Sequence, residues 1–124
     1  MSNTHVLIVD DDAHMSSVLE LWFAKANFRT TTASDGHKAL EILRGTESFG
    51  LILTDFMMPE LNGMELLRIL GDHPRLCQTP VVMMSNNAEP GFRRRAIELG
   101  ASAFLLKTDG ARLLSEKALR ASGY

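Results

Sequence analysis

Apolar residues are distributed along the chain in two alternating patterns, short unbroken runs and longer stretches with helical spacing. The runs at residues 6–9, 51–54, 81–84 and 103–106 are almost wholly apolar. Such runs read as buried strands, and strands covered on both faces belong to parallel sheets. Residues 28–32 are β-branched but mostly polar, which suits a strand at the sheet edge. Between the runs, Met15, Val18, Leu19, Trp22 and Ala26 give a first helix one apolar stripe, with an N-cap expected at Asp12. Ser34 or Asp35 can cap a second helix carrying Ala39, Leu40 and Leu43, which Gly45 is placed to end.

Asn62 with Glu65 forms a capping-box pattern ahead of Met64, Leu67 and Leu70. Pro80 suits the first residue of the fourth strand, where a missing N–H costs least. Pro90 marks the first turn of a helix with Phe92, Ala96 and Leu99, stopped by Gly100 and weakened at its start by Gly91. Asp109 and Gly110 lead into a last helix with Leu113, Leu114 and Ala118. Strands and helices alternate from end to end, which predicts an α/β fold, a parallel sheet with helices on both faces.

Composition narrows the function classes. A length of 124 residues gives room for one domain and one core. A formal net charge of −2 provides no general attraction to nucleic acid or anionic membrane. No segment approaches the roughly 18 apolar residues of a membrane span. Residues 1–5 lack the regions of a signal peptide, so a cytoplasmic location is expected. Cys77 is the only cysteine, which excludes an internal disulfide and a cysteine metal site; it reads as an incidental loop residue. Arg93, Arg94 and Arg95 spread around a helix and read as a solvated face. His5, His14, His37 and His73 lack metal-ligand spacing and receive no function.

The chemistry lies where the apolar runs stop. The first ends at Asp10, Asp11 and Asp12, the second at Asp55, the third at Ser85 and the fourth at Lys107. In a parallel sheet those ends share one edge, where ligands of open α/β sheets bind. Crowded carboxylates repel one another and favour a bound cation, and oxygen-only ligands point to a hard ion such as Mg2+.

These elements, with V-D-D-D after the first strand, T-D-x-M-M-P-x-x-N-G after the third, a hydroxyl after the fourth and a lysine after the fifth, closely resemble the receiver domain of two-component response regulators. The resemblance covers essentially all of residues 1–124 as one receiver domain and implies the strand order 2-1-3-4-5 of the flavodoxin-like fold. It implies that Asp55 accepts a phosphoryl group from a phosphohistidine on a histidine kinase or histidine phosphotransfer protein. By the same resemblance Asp10, Asp11 and Asp55 serve the Mg2+ site, Asp10 acting through water and Met57 giving a backbone carbonyl. Lys107 is then the cation for the phosphoryl oxygens and Ser85 the hydroxyl that bonds one of them.

Phe104 matches the family's aromatic switch, and output is expected through the face of the fourth helix, fifth strand and fifth helix. The activity so implied is a signalling switch that catalyses its own phosphorylation. Two positions depart from the family pattern. Asn86 stands where a small residue is usual and is expected to hinder access. Thr108 follows Lys107 where proline and a cis bond are usual, so a trans bond is expected, with the loop displaced and the ammonium turned partly away from Asp55. Two other readings stay open. One is a degenerate receiver that binds partners without phosphorylation. The other is a metal-dependent aspartyl-phosphate phosphohydrolase, although Met57 stands where its second acid belongs.

Overall fold

The strands form where the apolar runs lie, to within about a residue, and the capping residues set where the helices begin. The structure, a computed structural model, describes residues 4–87 and 89–124. Residues 1–3, part of the segment read as lacking a leader, lie outside that description. The chain runs β1 (His5–Val9), α1 (Ala13–Lys25), β2 (Arg29–Ala33), α2 (Gly36–Leu43) and β3 (Leu51–Asp55). It continues through α3 (Gly63–Gly71), β4 (Val81–Ser85), α4 (Pro90–Glu98), β5 (Ala103–Leu106), a 3-10 turn (Lys107–Asp109) and α5 (Ala111–Ala121).

All neighbouring strands pair parallel, in the order β2-β1-β3-β4-β5. The mostly polar β2 lies at an edge, where one face and one flank meet less protein. Side chains alternate across the sheet, as a two-residue period requires. Leu7, Val9, Ile52, Val81, Met83 and Phe104 pack with residues of α2, α3 and α4 on one face. Val6, Ile8, Leu51, Leu53, Val82 and Met84 pack with α1 and α5 on the other. The core is therefore two layers divided by the sheet.

The helix starts follow the capping chemistry. Asp12 accepts the N–H groups of His14 and Met15, and Asp35 accepts that of Lys38. Asn62 and Glu65 complete a reciprocal capping box at α3. Pro90 opens α4, and Glu89 before it supplies no side-chain cap.

The apolar stripe of α1 differs from the expected one. Phe23, four residues past Leu19 on the same face, is fully buried, whereas Ala26 is the exposed C-cap. The chain leaves the helix there through Asn27, whose φ of 68° turns it toward β2. Phe23→Ala should therefore destabilise the protein by about 3–5 kcal/mol. Ala26→Ser should change stability by no more than about 0.5 kcal/mol. Urea unfolding of both variants checks this, and similar losses would contradict the burial pattern.

Candidate functional site

Four strand ends meet at the carboxyl edge of the sheet. β1 delivers Asp10 and Asp11, and the turn into α1 fixes Asp10, whose Oδ1 accepts the Asp12 N–H at 3.0 Å. β3 ends on Asp55, and the next residue remains tied to the sheet because the Phe56 N–H donates to Met84 O at 2.8 Å. β4 ends on the buried Ser85. β5 leads directly into Lys107.

The side chains converge. Lys107 Nζ lies 2.8 Å from Asp10 Oδ2 and 3.1 Å from Asp55 Oδ2. Oxygens of Asp10, Asp11 and Asp55 lie within 4.8 Å of one another, with Asp10 and Asp55 buried and Asp11 exposed. The Met57 N–H donates to Asp55 Oδ1 at 3.4 Å, while the Met57 side chain points into solvent. Three hard oxygen donors gathered in one crevice suit a divalent cation of the magnesium or calcium type.

The expectation that Thr108 turns the lysine away from Asp55 is not met. No cis peptide bond occurs among the described residues, so Lys107–Thr108 is trans as expected. The ammonium nevertheless reaches both carboxylates. The 3-10 turn at Lys107–Asp109 accommodates the trans bond, and the attraction of two acids holds the flexible lysine stem in place. Thr108 itself is exposed.

The other predicted residues surround this centre. Ser85 Oγ accepts the Asn87 N–H at 3.0 Å, and a hydroxyl used in that way keeps its own hydrogen for another acceptor. Asn86 is exposed just beyond β4. Phe104 is inward, only 1 % exposed, edge-on to Phe56 at 6.1 Å and covered by the Arg93 guanidinium at 5.7 Å. It belongs to the core on the α4 side and is not part of the carboxylate cluster.

Burial pushes the Asp55 carboxyl up to about 6, with Lys107 opposing the rise and Asp10 adding to it. For Lys107 burial works against the charge, but the bonds and attraction of Asp10 and Asp55 outweigh it and raise its proton affinity. The site thus holds a secure cation beside an aspartate that ionises reluctantly.

Sequence reasoning passed over two residues. Phe56 is the unspecified x of the T-D-x-M-M-P motif, yet its ring packs at a 39° tilt against Phe92 of α4, with centroids 4.6 Å apart. An aromatic directly after a strand-end acid was the available signal. Gly63 is the last letter of the T-D-x-M-M-P-x-x-N-G motif with no role of its own there, yet it packs directly on the backbone of Asp55. The glycine of the N-G pair was its signal.

A five-stranded sheet of this order, with acids and a lysine at its carboxyl edge, defines a flavodoxin-like signalling receiver. The family model described as response regulator receiver domain matches residues 6–118, and the chain belongs to that family. It is 38 % identical over 103 residues to the two-component response regulator ORR3 of Oryza sativa subsp. indica, covering 83 % of this chain and 79 % of that protein. The Francisella response regulator 1452 receiver domain superposes with a TM-score of 0.85 at 28 % identity, covering 97 % of each chain. The chemotaxis response regulator CheY4 of Vibrio cholerae shares the fold with a TM-score of 0.88, at 24 % identity and over 97 % of this chain and 99 % of that one.

The raised proton affinity of Asp55 has a measurable sign. The folded state holds this proton more tightly than the unfolded chain does, so the Asp55 contribution to stability is full below about pH 4 and is lost as pH rises through about 6. In chelator-treated protein, the stability of wild type relative to Asp55→Asn should fall between those limits and then level off. Urea unfolding across the pH range checks it. A difference that rises with pH would show that Asp55 is instead held ionised.

Proposed function

We propose that the chain is a phosphoacceptor switch of a two-component system, taking a phosphoryl group onto Asp55 from a phosphohistidine on a histidine kinase or histidine phosphotransfer protein. The observation that carries this reading is the contact of Asp55 Oδ2 with Lys107 Nζ at 3.1 Å inside a cluster of three carboxylates. The name of the rice relative, a two-component response regulator, supports it. In the transfer, an Asp55 oxygen forms a bond to phosphorus as the P–N bond breaks and the imidazole leaves with the electron pair. A carboxylate is a weak nucleophile, so the gain comes from placement and from neutralising the phosphoryl charge.

Asp10, Asp11 and Asp55, with the Met57 carbonyl, would hold Mg2+, which supplies positive charge against the phosphoryl oxygens. Lys107 is already in contact with Asp55 and follows the new oxygens with its flexible stem. Ser85 turns its hydroxyl hydrogen to one of them, a charge-assisted bond that forms only after modification. An ammonium and a hydroxyl then meet the same group from the ends of β5 and β4, adjacent strands in the sheet.

The output surface in this reading comprises α4, β5 and α5. Phe104 on β5 lies beneath Arg93 of α4, so displacement of β4's end reaches α4 through a packed contact. The start of α4 is easily remodelled, since Pro90 and Gly91 open it without a side-chain cap. No described helix is long and apolar enough to cross a membrane, and the proposed setting is the cytoplasm.

Incubating the protein with acetyl phosphate and Mg2+ should add one acid-labile phosphoryl group by intact mass. Asp55→Asn should take none while remaining folded, and chelation should abolish labelling of wild type. Stoichiometric labelling of a folded Asp55→Asn protein would remove Asp55 from its role. A second expectation concerns the surface: a beryllofluoride mimic should alter hydrogen exchange mainly between Ser85 and Leu114. Changes confined to α1 and α2 would overturn the proposed output face.

A further inference from the structure

The loop between β3 and α3 returns onto the strand it has just left, and two glycines make that return possible. At Gly36, the first residue of α2, an added Cβ would lie 2.6 Å from Leu61 O and 2.8 Å from Leu61 Cδ2. At Gly63, the first residue of α3, it would collide with Asp55 O and lie 3.1 Å from Phe56 Cα and 3.2 Å from Asp55 C. The two contacts differ in kind. Leu61 offers a side chain that can rotate as well as a carbonyl, whereas every atom met at Gly63 is backbone of the nucleophile or its neighbour.

That backbone has little freedom to yield. The Asp55 carbonyl accepts the Thr54 hydroxyl at 3.1 Å, the Phe56 N–H is bonded to β4, and the Gly63 N–H donates back to Phe56 O at 3.1 Å. Asp55 is paired with Met84 in the sheet register. The first turn of α3 is equally fixed, by the capping box of Asn62 and Glu65. A methyl at residue 63 would have to separate two restrained segments, and the tilt of the Asp55 peptide is one coordinate along which they part. Such a tilt redirects the carboxylate with respect to Lys107.

We propose that Gly63 is a positioning residue for Asp55: contact between the bare α-carbon of Gly63 and the Asp55 carbonyl fixes the direction in which the carboxylate points. This rests on the reading of Asp55 as phosphoacceptor and deepens it. The geometry of a reacting pair is steep, since displacement by about 1 Å can cost about a hundredfold in rate.

The test compares Gly63→Ala with Leu70→Ala, which opens a cavity at the far end of the same helix. The readouts are the rate of phosphorylation at saturating acetyl phosphate and Mg2+, and Mg2+ affinity from amide-shift titration, each corrected for the folded fraction by circular dichroism. Both variants lose melting temperature. Gly63→Ala should also lose about tenfold or more in saturating rate and bind Mg2+ several-fold more weakly, while Leu70→Ala keeps both values within about twofold. A folded Gly63→Ala protein matching wild type in rate and affinity overturns the proposal.

Should Gly63→Ala fail to fold, Asn62→Ala decides in its place, because it loosens the first turn of α3 while keeping the glycine. A fall of about twofold or more in either readout supports positioning, and none refutes it. If wild type binds Mg2+ without being labelled, the phosphoacceptor reading fails on its own, and Gly63 is judged on Mg2+ affinity alone.

Discussion

The ammonium of Lys107, lodged between the buried carboxylates of Asp10 and Asp55, is the interaction on which the arrangement of this edge depends. A charge taken out of water without a partner costs several kcal/mol. Three strands must therefore deliver their ends to one point. The register does this: Val9 lies opposite Thr54, Asp55 opposite Met84, and Ser85 opposite Leu106, so Asp10, Asp55, Ser85 and Lys107 emerge together. A slip of one residue would turn every side chain of a strand to the other face, moving apolar groups between core layers as well as breaking the site. The packing of the two layers and the geometry of the charges thus enforce the same alignment.

The charge balance also explains why this crevice suits an external cation. Three acids face one lysine. Burial is the main reason that Asp55 holds a proton more tightly than an exposed aspartate; Lys107 opposes that rise and Asp10 adds to it. A divalent ion placed among the three acids would change that balance directly.

Much of this was legible in the sequence because it depends on local patterns. The four apolar runs became β1, β3, β4 and β5, and Asp12, Asp35 and Asn62 capped the helices they precede. What was not legible depends on approach in space. Ala26 has the same helical spacing as Phe23 would need, and only the departure of the chain at Asn27 shows which is covered. The direction of Lys107 was misjudged because local backbone chemistry at Thr108 was weighed without the pull of two carboxylates contributed by other strands. The tight packing of Gly63 on Asp55 is invisible in a motif, since a glycine in an N-G pair serves equally well in an open turn.

The opposite edge of the sheet treats its buried titratable group differently. His5 is buried there between Thr31, at 2.7 Å from Nε2, and Glu47, at 2.9 Å from Nδ1, with its ring 4.4 Å from that of Phe49. Burial lowers its proton affinity, Glu47 pulls the other way and Arg29 adds to the lowering, so the ring is neutral at pH 7. Since a carboxylate only accepts, Nδ1 carries the hydrogen and Thr31 donates to Nε2. That edge meets its buried ring with a hydroxyl and a half-exposed carboxylate. At the carboxyl edge Asp12 takes two N–H groups of α1 and Asn62 takes one of α3, whereas α4 and α5 begin without a side-chain cap. The positive charge in contact with Asp55 comes from a flexible side chain, Lys107.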